Sequence, residues 1–515
     1  MIAAHLLDEN SEDRSLDALA MKHCGAPPWK EHWKPYEHEL KDLESLPSSY
    51  LQPLMVYNEQ DLKWTKSLYN YLRPALKEAG LLNLLRVEME NLKTLARMTE
   101  WGIQIDQRLL NEWTTCYKAR HEELRNSFGF NPASVPQKLA ALRAAGYDVT
   151  STTDEVLADL GDGIPARLRE FATVNKILGT YLDGFREQIY TDGRIHPQFH
   201  QNRTVSGRLS SSAPNGQNFP RDTSVLPFRK LFQGTWGRLL RLDFSQIELR
   251  VAAYLSRDKE LVRVYRAGED IHSTTGERIW SKPARHHTEN ERVAAKVTNF
   301  TALYDPFDSC YAAIRFQLRS DYGVEFDWIT TKRFVDSFRS PYRGWFDYVL
   351  SVIQQVYDTG FVRQPITGRV RRSPGSLQSW GLKERPKSLY HLRELCAVSS
   401  ALQEIIRSIA NSLDQGFASG DLNKLVCTAI DRRMRNRNFR SRLCNTIHDE
   451  ILIDTHPEEE KEVIQIAYET ATHPPLVAAF GVGFDIPIGV EMGIGETWSD
   501  AKKKENTITA GMKLF

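Results

Sequence analysis

The chain has 515 residues and a mass of 59.1 kDa, room for two to four domains at about 100–200 residues each. Hydrophobic residues make up 41% and aromatics 10%, which excludes a disordered protein, and no stretch approaches the roughly 18 apolar residues of a membrane span. Lys+Arg 67 against Asp+Glu 66 leaves a net charge of +1, so nucleic acid can be held only by a local basic stripe, not by overall charge.

The N-terminus, MIAAHLLDENSED, lacks the basic region and cleavage site of a signal peptide, and six dispersed cysteines form no CxxC pair. Both features point to a cytoplasmic protein with reduced thiols and no structural zinc. The first ninety residues read as mixed α/β with proline-marked loops. Residues 81–101 carry helical spacing, Gly102 breaks it, and 108–128 resume as an amphipathic helix. Residues 131–165 are polar and turn-rich and read as a mobile tip, and 165–189 read as helix again. From 193 to 230 the pattern is loop and short strand. Residues 239–243 form a short apolar strand running into a helix over 246–255. Thr288 to Tyr304 is a helix with a polar stripe, and 391–413 reads as one long helix. Residues 443–454 are two apolar strands meeting at His448-Asp449-Glu450. Just before them, Arg432, Arg433, Arg435, Arg437, Arg440 and Arg442 are either a solvated surface hairpin or a contact for a duplex backbone.

The carboxylates of Asp243 and Asp449 end or join buried strands, where an unpaired charge is costly. Each could be a strand-end turn former. If the sheet brings the two together, divalent cations between them relieve the repulsion, and two-metal phosphoryl transfer needs such a pair, with cations about 3.5–4 Å apart. Arg292, Lys296, Phe300 and Tyr304 recur at four-residue steps and share one helix face. Two cations followed by two aromatics suit a polyphosphate and then a sugar and base; a solvated basic face with two core aromatics is the plainer alternative.

The segment LRLDFSQIELR (240–250) resembles motif A of family A DNA polymerases, the bacterial DNA polymerase I group. RVAAKVTNFTALY (292–304) resembles their motif B and IHDEILID (447–454) their motif C. TVSGRLSSSAPNGQNFP (204–220) is similar to the primer-template segment, and DIHSTTGERIW (270–280) to the nucleotide-binding His region. The order is that of the family. The resemblance implies an α+β right-hand polymerase: a truncated 3′–5′ exonuclease-like α/β segment over 1–86, linker helix and thumb over 87–185, palm over 186–260 and 386–504, fingers over 261–385, and a flexible tail over 505–515. It implies template-directed DNA synthesis from dNTPs on primer-template DNA, with two Mg²⁺ held by Asp243, Asp449 and the backbone of Phe244, supported by Glu450. Arg292, Lys296 and His272 would bind the triphosphate, Glu248 would exclude a ribose 2′-hydroxyl, Phe300 would pack on the sugar and Tyr304 would stack at the template position. Arg208, Gln217, Asn218 and His448 would touch primer-template.

Departures from the family pattern accompany these matches. Thr301 and Asp305 stand where glycines are usual, which is expected to stiffen the helix end and place a negative charge near the template base. Gly216 stands where a Leu is usual, and Ser399 where a Gln reaches the minor groove. Only Asp61 of the Y-x3-D pattern at Tyr57 remains of the exonuclease carboxylates, so proofreading is not expected of this chain alone; an open sheet edge left by the missing half would invite a separate exonuclease chain. Lys502 onward reads as an unstructured tail, whose Met512, Leu514 and Phe515 either fold back or dock on a sliding clamp. Two rival readings stay open. A single-subunit RNA polymerase would accept ribonucleotides, and a catalytically impaired replisome subunit would show no Mg²⁺-dependent extension.

Overall fold

The computed structural model describes residues 1–32, 50–220, 222 and 226–508. Four helices open the chain: α1 (Ile2–Leu7), α2 (Leu16–Cys24), α3 (Leu51–Glu78) and α4 (Leu82–Trp101). Among the described residues of 1–86 no strand forms, which corrects the mixed α/β expectation. Leu68, Leu72 and Leu76 recur at helical spacing, and their stripe buries against Leu19, Ala20 and Trp29. No open sheet edge is present among those residues, so that ground for a covering exonuclease chain falls away. Asp61 accepts a hydrogen bond from Trp29 Nε1 at 2.8 Å.

After β1 (Ile103–Ile105) comes a helical arm, α5 (Gln107–Asn126), α6 (Val135–Ala144), α7 (Asp154–Asp159) and α8 (Ile164–Lys176), then a π-helical stretch (Ile177–Asp183) and α9 (Gly184–Arg186). The segment expected as a mobile tip therefore contains two helices, held by a small core of Leu142, Val149, Leu157 and Leu168. Short strands follow: β2 (Arg194–Ile195), β3 (Gln198–His200), β4 (Ser210–Ser212) and β5 (Phe232–Gln233). β1 lies between β2 and β5, and β3 pairs with β4.

β6 (Leu239–Ser245) leads into α10 (Ile247–Ser256) and a helical lobe of α11 (Lys259–Arg266), α12 (Ile271–Trp280), α13 (Glu289–Tyr304), α14 (Ser309–Tyr322), α15 (Trp328–Arg339) and α16 (Arg343–Thr359). The hairpin β7 (Phe361–Arg363) and β8 (Val370–Arg372) returns the chain to α17 (Leu389–Cys396) and α18 (Ser400–Gln415). The expected single helix over 391–413 is thus two, because the Ser399 side chain accepts from Leu402 N at 3.2 Å and starts a new helix. A π-helical stretch (Gly416–Leu422), α19 (Asn423–Asn436), β9 (Arg442–Ile447), β10 (Glu450–Asp454), α20 (Glu460–Thr472), α21 (Leu476–Phe480), β11 (Gly489–Gly495) and β12 (Thr507–Ile508) complete the fold.

The main sheet is antiparallel in the order β12-β11-β6-β10-β9. Side chains alternate across it. Leu240, Leu242 and Phe244 pack on the core that α19 and α20 cover, while Leu239 lies on the opposite face with Phe232 and Trp498. Asp243 and Arg241 share that second face with Leu239. β12 pairs with β11 (Met492 opposite Ile508, Gly493 opposite Thr507), so Thr507 and Ile508 belong to the sheet edge and 505–508 are no free tail. Met512, Leu514 and Phe515 lie outside the described residues. The arginine run forms no hairpin. It ends α19 and enters β9, facing its own acids: Arg433 pairs with Glu469 at 2.6 Å, Arg435 with Asp431 at 3.1 Å and Arg440 with Glu458 at 2.8 Å.

Beneath the sheet, four buried charges lock α4 to the rest. Lys424 Nζ meets Glu88 Oε1 at 2.7 Å, and Arg369 bridges Glu88 and Asp421, the latter at 2.6 Å. Two acids and two bases balance, so removing one leaves a buried unpaired charge. Lys424→Met should therefore cost about 3–5 kcal/mol in denaturant unfolding, and adding Glu88→Gln should recover much of the loss. An additive double variant would mean that the network is not coupled.

Candidate functional site

Asp243 sits near the end of β6, and the register places Glu450 of β10 and Glu491 of β11 opposite it on either side. Asp449 occupies the two-residue turn between β9 and β10 with His448, whose φ of 55° is left-handed. The turn is braced from below. Asn423 Nδ2 donates to His448 O at 2.9 Å, and Phe244 N donates to Asp449 O at 3.2 Å. Asp243 and Asp449 therefore face one cleft of about 930 Å³, which Lys296, Asn218, His448 and Glu450 also line.

Burial, then the Asp449 charge, pushes the Asp243 carboxyl up to about 8; burial, then Glu248, pushes Asp449 up to about 7. Such a pair favours a proton or a cation. Among the described residues no three His, Cys, Asp or Glu side chains converge as a metal group. Two carboxylates with water and substrate oxygens suit Mg²⁺, which keeps several waters and commonly binds through one or two carboxylates. Glu450 is engaged elsewhere: it accepts from Arg241 Nε at 2.9 Å, from Trp498 Nε1, and from Lys502 Nζ at 2.8 Å. Arg241 also donates to Asp243.

The helix α13 carries the other half of the site. A capping box starts it, with Glu291 N donating to Thr288 Oγ1 at 3.3 Å and Thr288 N to Glu291 Oε2 at 2.7 Å. Arg292 and Lys296 project from it, exposed, and neither has an ion-pair partner among the described residues. His272 is buried and pushed down to about 4, chiefly by burial. Asn299 Nδ2 donates to its Nδ1 at 2.9 Å, which leaves Nε2 to carry the hydrogen. His272 is therefore neutral near pH 7, with Nε2 the group left to donate. Phe300 stands 5.4 Å from the His272 ring.

Arg208 Nη2 donates to Glu248 Oε1 at 2.5 Å, with Ser419 Oγ at 3.5 Å from the same oxygen. The Tyr304 phenol is buried and pushed well above its usual value, by burial first and then by Glu248. Gln217 lines the same cleft and also braces the turn: its side chain donates to Thr446 O and accepts from His448 N at 3.5 Å. Asp305 is buried and does not reach out as a charge. It accepts from Phe307 N at 2.8 Å and Ser309 Oγ at 2.7 Å and pairs with Arg407 at 3.3 Å, ending α13 and organising the start of α14.

Ser399 begins α18, about 24 Å by helix rise from the end that meets the site. There Gly416 packs so closely on Ser206 O that a Cβ would collide, which makes Gln415 the glutamine beside the Arg208 loop. Sequence reasoning also missed Arg241 and Asp414. Arg241 had a signal, a charge two residues from Asp243 and hence on its face. Asp414, fully buried with both oxygens unpartnered among the described residues, had none in its apolar helix stripe.

Residues 130–500 match the model of DNA polymerase family A. The chain is 29% identical to DNA polymerase I of Lactococcus lactis subsp. lactis over 462 residues, covering 83% of this chain and 48% of that protein. It is 28% identical to DNA polymerase I of Borreliella burgdorferi over 522 residues, covering 97% and 52%. The chain thus spans about half the length of these relatives. Among solved structures, the POL domain of Pol1 from M. smegmatis, in complex with DNA primer-template and dNTP, superposes with a TM-score of 0.77 at 23% identity, covering 98% of this chain and 82% of that one. That likeness shows the fold. With the family model matched over well more than half of its length, the chain belongs to DNA polymerase family A.

Proposed function

We propose that this chain carries out template-directed DNA synthesis, in which the primer 3′-hydroxyl attacks the α-phosphate of a dNTP and pyrophosphate leaves. The observation that carries the reading is the half-buried Asp243/Asp449 pair facing a cleft that Lys296, unpartnered among the described residues, also lines. In this reading 186–260 with 386–504 form the palm, 261–385 the fingers and 87–185 the linker helix and thumb. Asp243, Asp449 and the Phe244 carbonyl would hold two Mg²⁺, which when bound activate the attacking oxygen and stabilise the leaving one.

The chain's own groups do the rest. Arg292 and Lys296 neutralise charge on the triphosphate as it shifts toward the leaving pyrophosphate. His272 Nε2 donates a neutral hydrogen bond to a phosphate oxygen. Glu248 closes the space beside C2′ of the sugar, held there by Arg208, while Phe300 packs on the ring. Tyr304 stacks at the template position. Asn218, Arg208 and His448 meet primer-template, mostly at backbone and minor groove. Gln217 acts on the same substrate indirectly, by fixing the turn that carries His448 and Asp449.

Asp243→Asn or Asp449→Asn should lower primer extension at least about 10³-fold while DNA affinity, measured by anisotropy, stays within a few-fold. Substantial extension by both variants would overturn the two-metal assignment and favour the impaired-subunit reading for neither. Glu248→Ala should raise rNTP relative to dNTP incorporation by at least about tenfold, whereas Glu248→Gln, which keeps the volume but loses the Arg208 ion pair, should retain most selectivity. Equal relaxation in both variants would assign selection to the ion pair instead of the volume.

A third measurement uses pH. His272 has a folded value near 4, below the ordinary 6.5, so folding binds the proton less well than the unfolded chain does. Its contribution to stability is complete above about pH 6.5 and is lost as pH falls through 4. Because Asp243 and Asp449 act in the opposite sense over the same window, the test is the difference between proteins: from pH 6.5 down to 4 the unaltered protein should lose stability relative to His272→Gln. An unchanged slope would show that His272 is not the group responsible.

A further inference from the structure

Three carboxylates occupy one rung of the sheet: Glu450 on β10, Asp243 on β6 and Glu491 on β11 are direct cross-strand partners. Cβ atoms so paired lie about 4.5–5.5 Å apart, and like charges at that spacing repel. Arg241, two residues earlier on β6 and on the same face, answers all three. Its Nε donates to Glu450 Oε2 at 2.9 Å, its Nη1 to Glu491 Oε1 at 3.3 Å, and its Nη2 to Asp243 Oδ2. Only a planar guanidinium can reach three acids from one stem in this way, and the side chain is buried, so the fork is held in place.

Asp449 has no such partner among the ion pairs of the described residues. The two carboxylates proposed to hold cations are therefore unequal: one is free, and the other has an oxygen already taken by a fixed positive group. Glu450 has further cationic neighbours in Lys502 at 2.8 Å and Arg229 at 3.8 Å, so it does not depend on Arg241 alone. Among the described residues Asp243 has no second ion-pair partner.

We propose that Arg241 is a positioning residue that occupies Asp243 as an internal counter-cation and must yield its Nη2 contact before a divalent ion can use that oxygen. The inference rests on the two-metal reading of the site. In the protein without substrate, Arg241 holds Asp243 in one rotamer and keeps cation affinity low there. A dNTP arriving with its own bound cation adds negative charge to the cleft and tips the exchange, so occupancy at Asp243 follows nucleotide entry.

The test is Mn²⁺ binding to the full chain, without DNA or nucleotide, followed by electron paramagnetic resonance of free Mn²⁺. Arg241→Gln should bind Mn²⁺ roughly tenfold more tightly than the unaltered protein, the scale of one charge-assisted hydrogen bond no longer in competition. Equal or weaker binding would overturn the proposal. If Arg241→Gln does not fold by circular dichroism, Arg241→Lys decides: one ammonium cannot span three acids, so affinity should rise at least about twofold, and no change overturns the proposal. Asp243→Asn and Asp449→Asn separate this from the underlying reading. If both bind Mn²⁺ as the unaltered protein does, the two-metal site itself is wrong; if both lose binding while the Arg241 variants do not change, only the role of Arg241 fails.

Discussion

Side chains placed opposite one another on adjacent strands cannot move far apart, and the central sheet sets Glu450, Asp243 and Glu491 on one rung with Asp449 just beyond it. That fixed crowding of negative charge is the constraint from which the neighbouring structure follows. Arg241 rises between the three acids, Lys502 comes in from the sheet edge, and Trp498 donates to Glu450 from the core on the same face. Residues 500–508 are ordered because they carry one of these answers: Lys502 needs a backbone held against β11, and β12 holds it. A segment rich in lysine, read in isolation, looks like a solvated tail. Its structure comes from a glutamate about fifty positions away.

The same physics recurs below the sheet, with the balance closed. Glu88, Arg369, Lys424 and Asp421 satisfy one another with almost no water, and Thr367 Oγ1 adds a hydrogen bond to Asp421 at 2.7 Å. Here every charge has its partner in the chain, and the result is a joint between α4, the loop after β7, the π-helical stretch and α19. At the cleft the balance stays open. Asp243 and Asp449 sit above the ordinary carboxylate range, and Arg292 and Lys296 face solvent without partners. Charges that complete each other build the fold; charges left incomplete across a cleft are where an ionic substrate fits.

The three polymerase motifs, their order and the elements bearing them were legible because each depends on local pattern. Apolar runs make β6, β9 and β10, four-residue spacing makes the face of α13, and a polar pair makes the turn at His448 and Asp449. Long-range choices were not legible. Nothing near Ser399 announces that it caps a helix and splits an apolar stripe, and nothing near Gln217 says that its amide will be taken by Thr446. The six arginines left a solvated hairpin and a duplex-backbone contact both open, because the acids that pair with Arg440, Arg437 and Arg433, namely Glu458, Glu462 and Glu469, come after the next strands in sequence. The described residues of 1–86 are helical where α/β was expected, since prolines and short apolar runs fit either class, and the stripe of α3 decides.

Asp305 and His272 show how burial changes what a residue type contributes. An aspartate at the end of α13 suggested a negative charge against the template base, yet two hydrogen bonds and Arg407 turn it inward as the hinge between two helices. A histidine near a lysine and an arginine charge is readily taken for a third cation, yet desolvation holds His272 neutral and Asn299 fixes its tautomer. With His272 neutral and Asp305 compensated, the formal positive charge facing solvent from this face of α13 comes from Arg292 and Lys296, one helical turn apart. The helix can present them because its capping box satisfies its first turn without using either. Glu291, the acid nearest to Arg292 in sequence, is taken by Thr288 and by Lys282 at 2.7 Å, and so is held away from the pair.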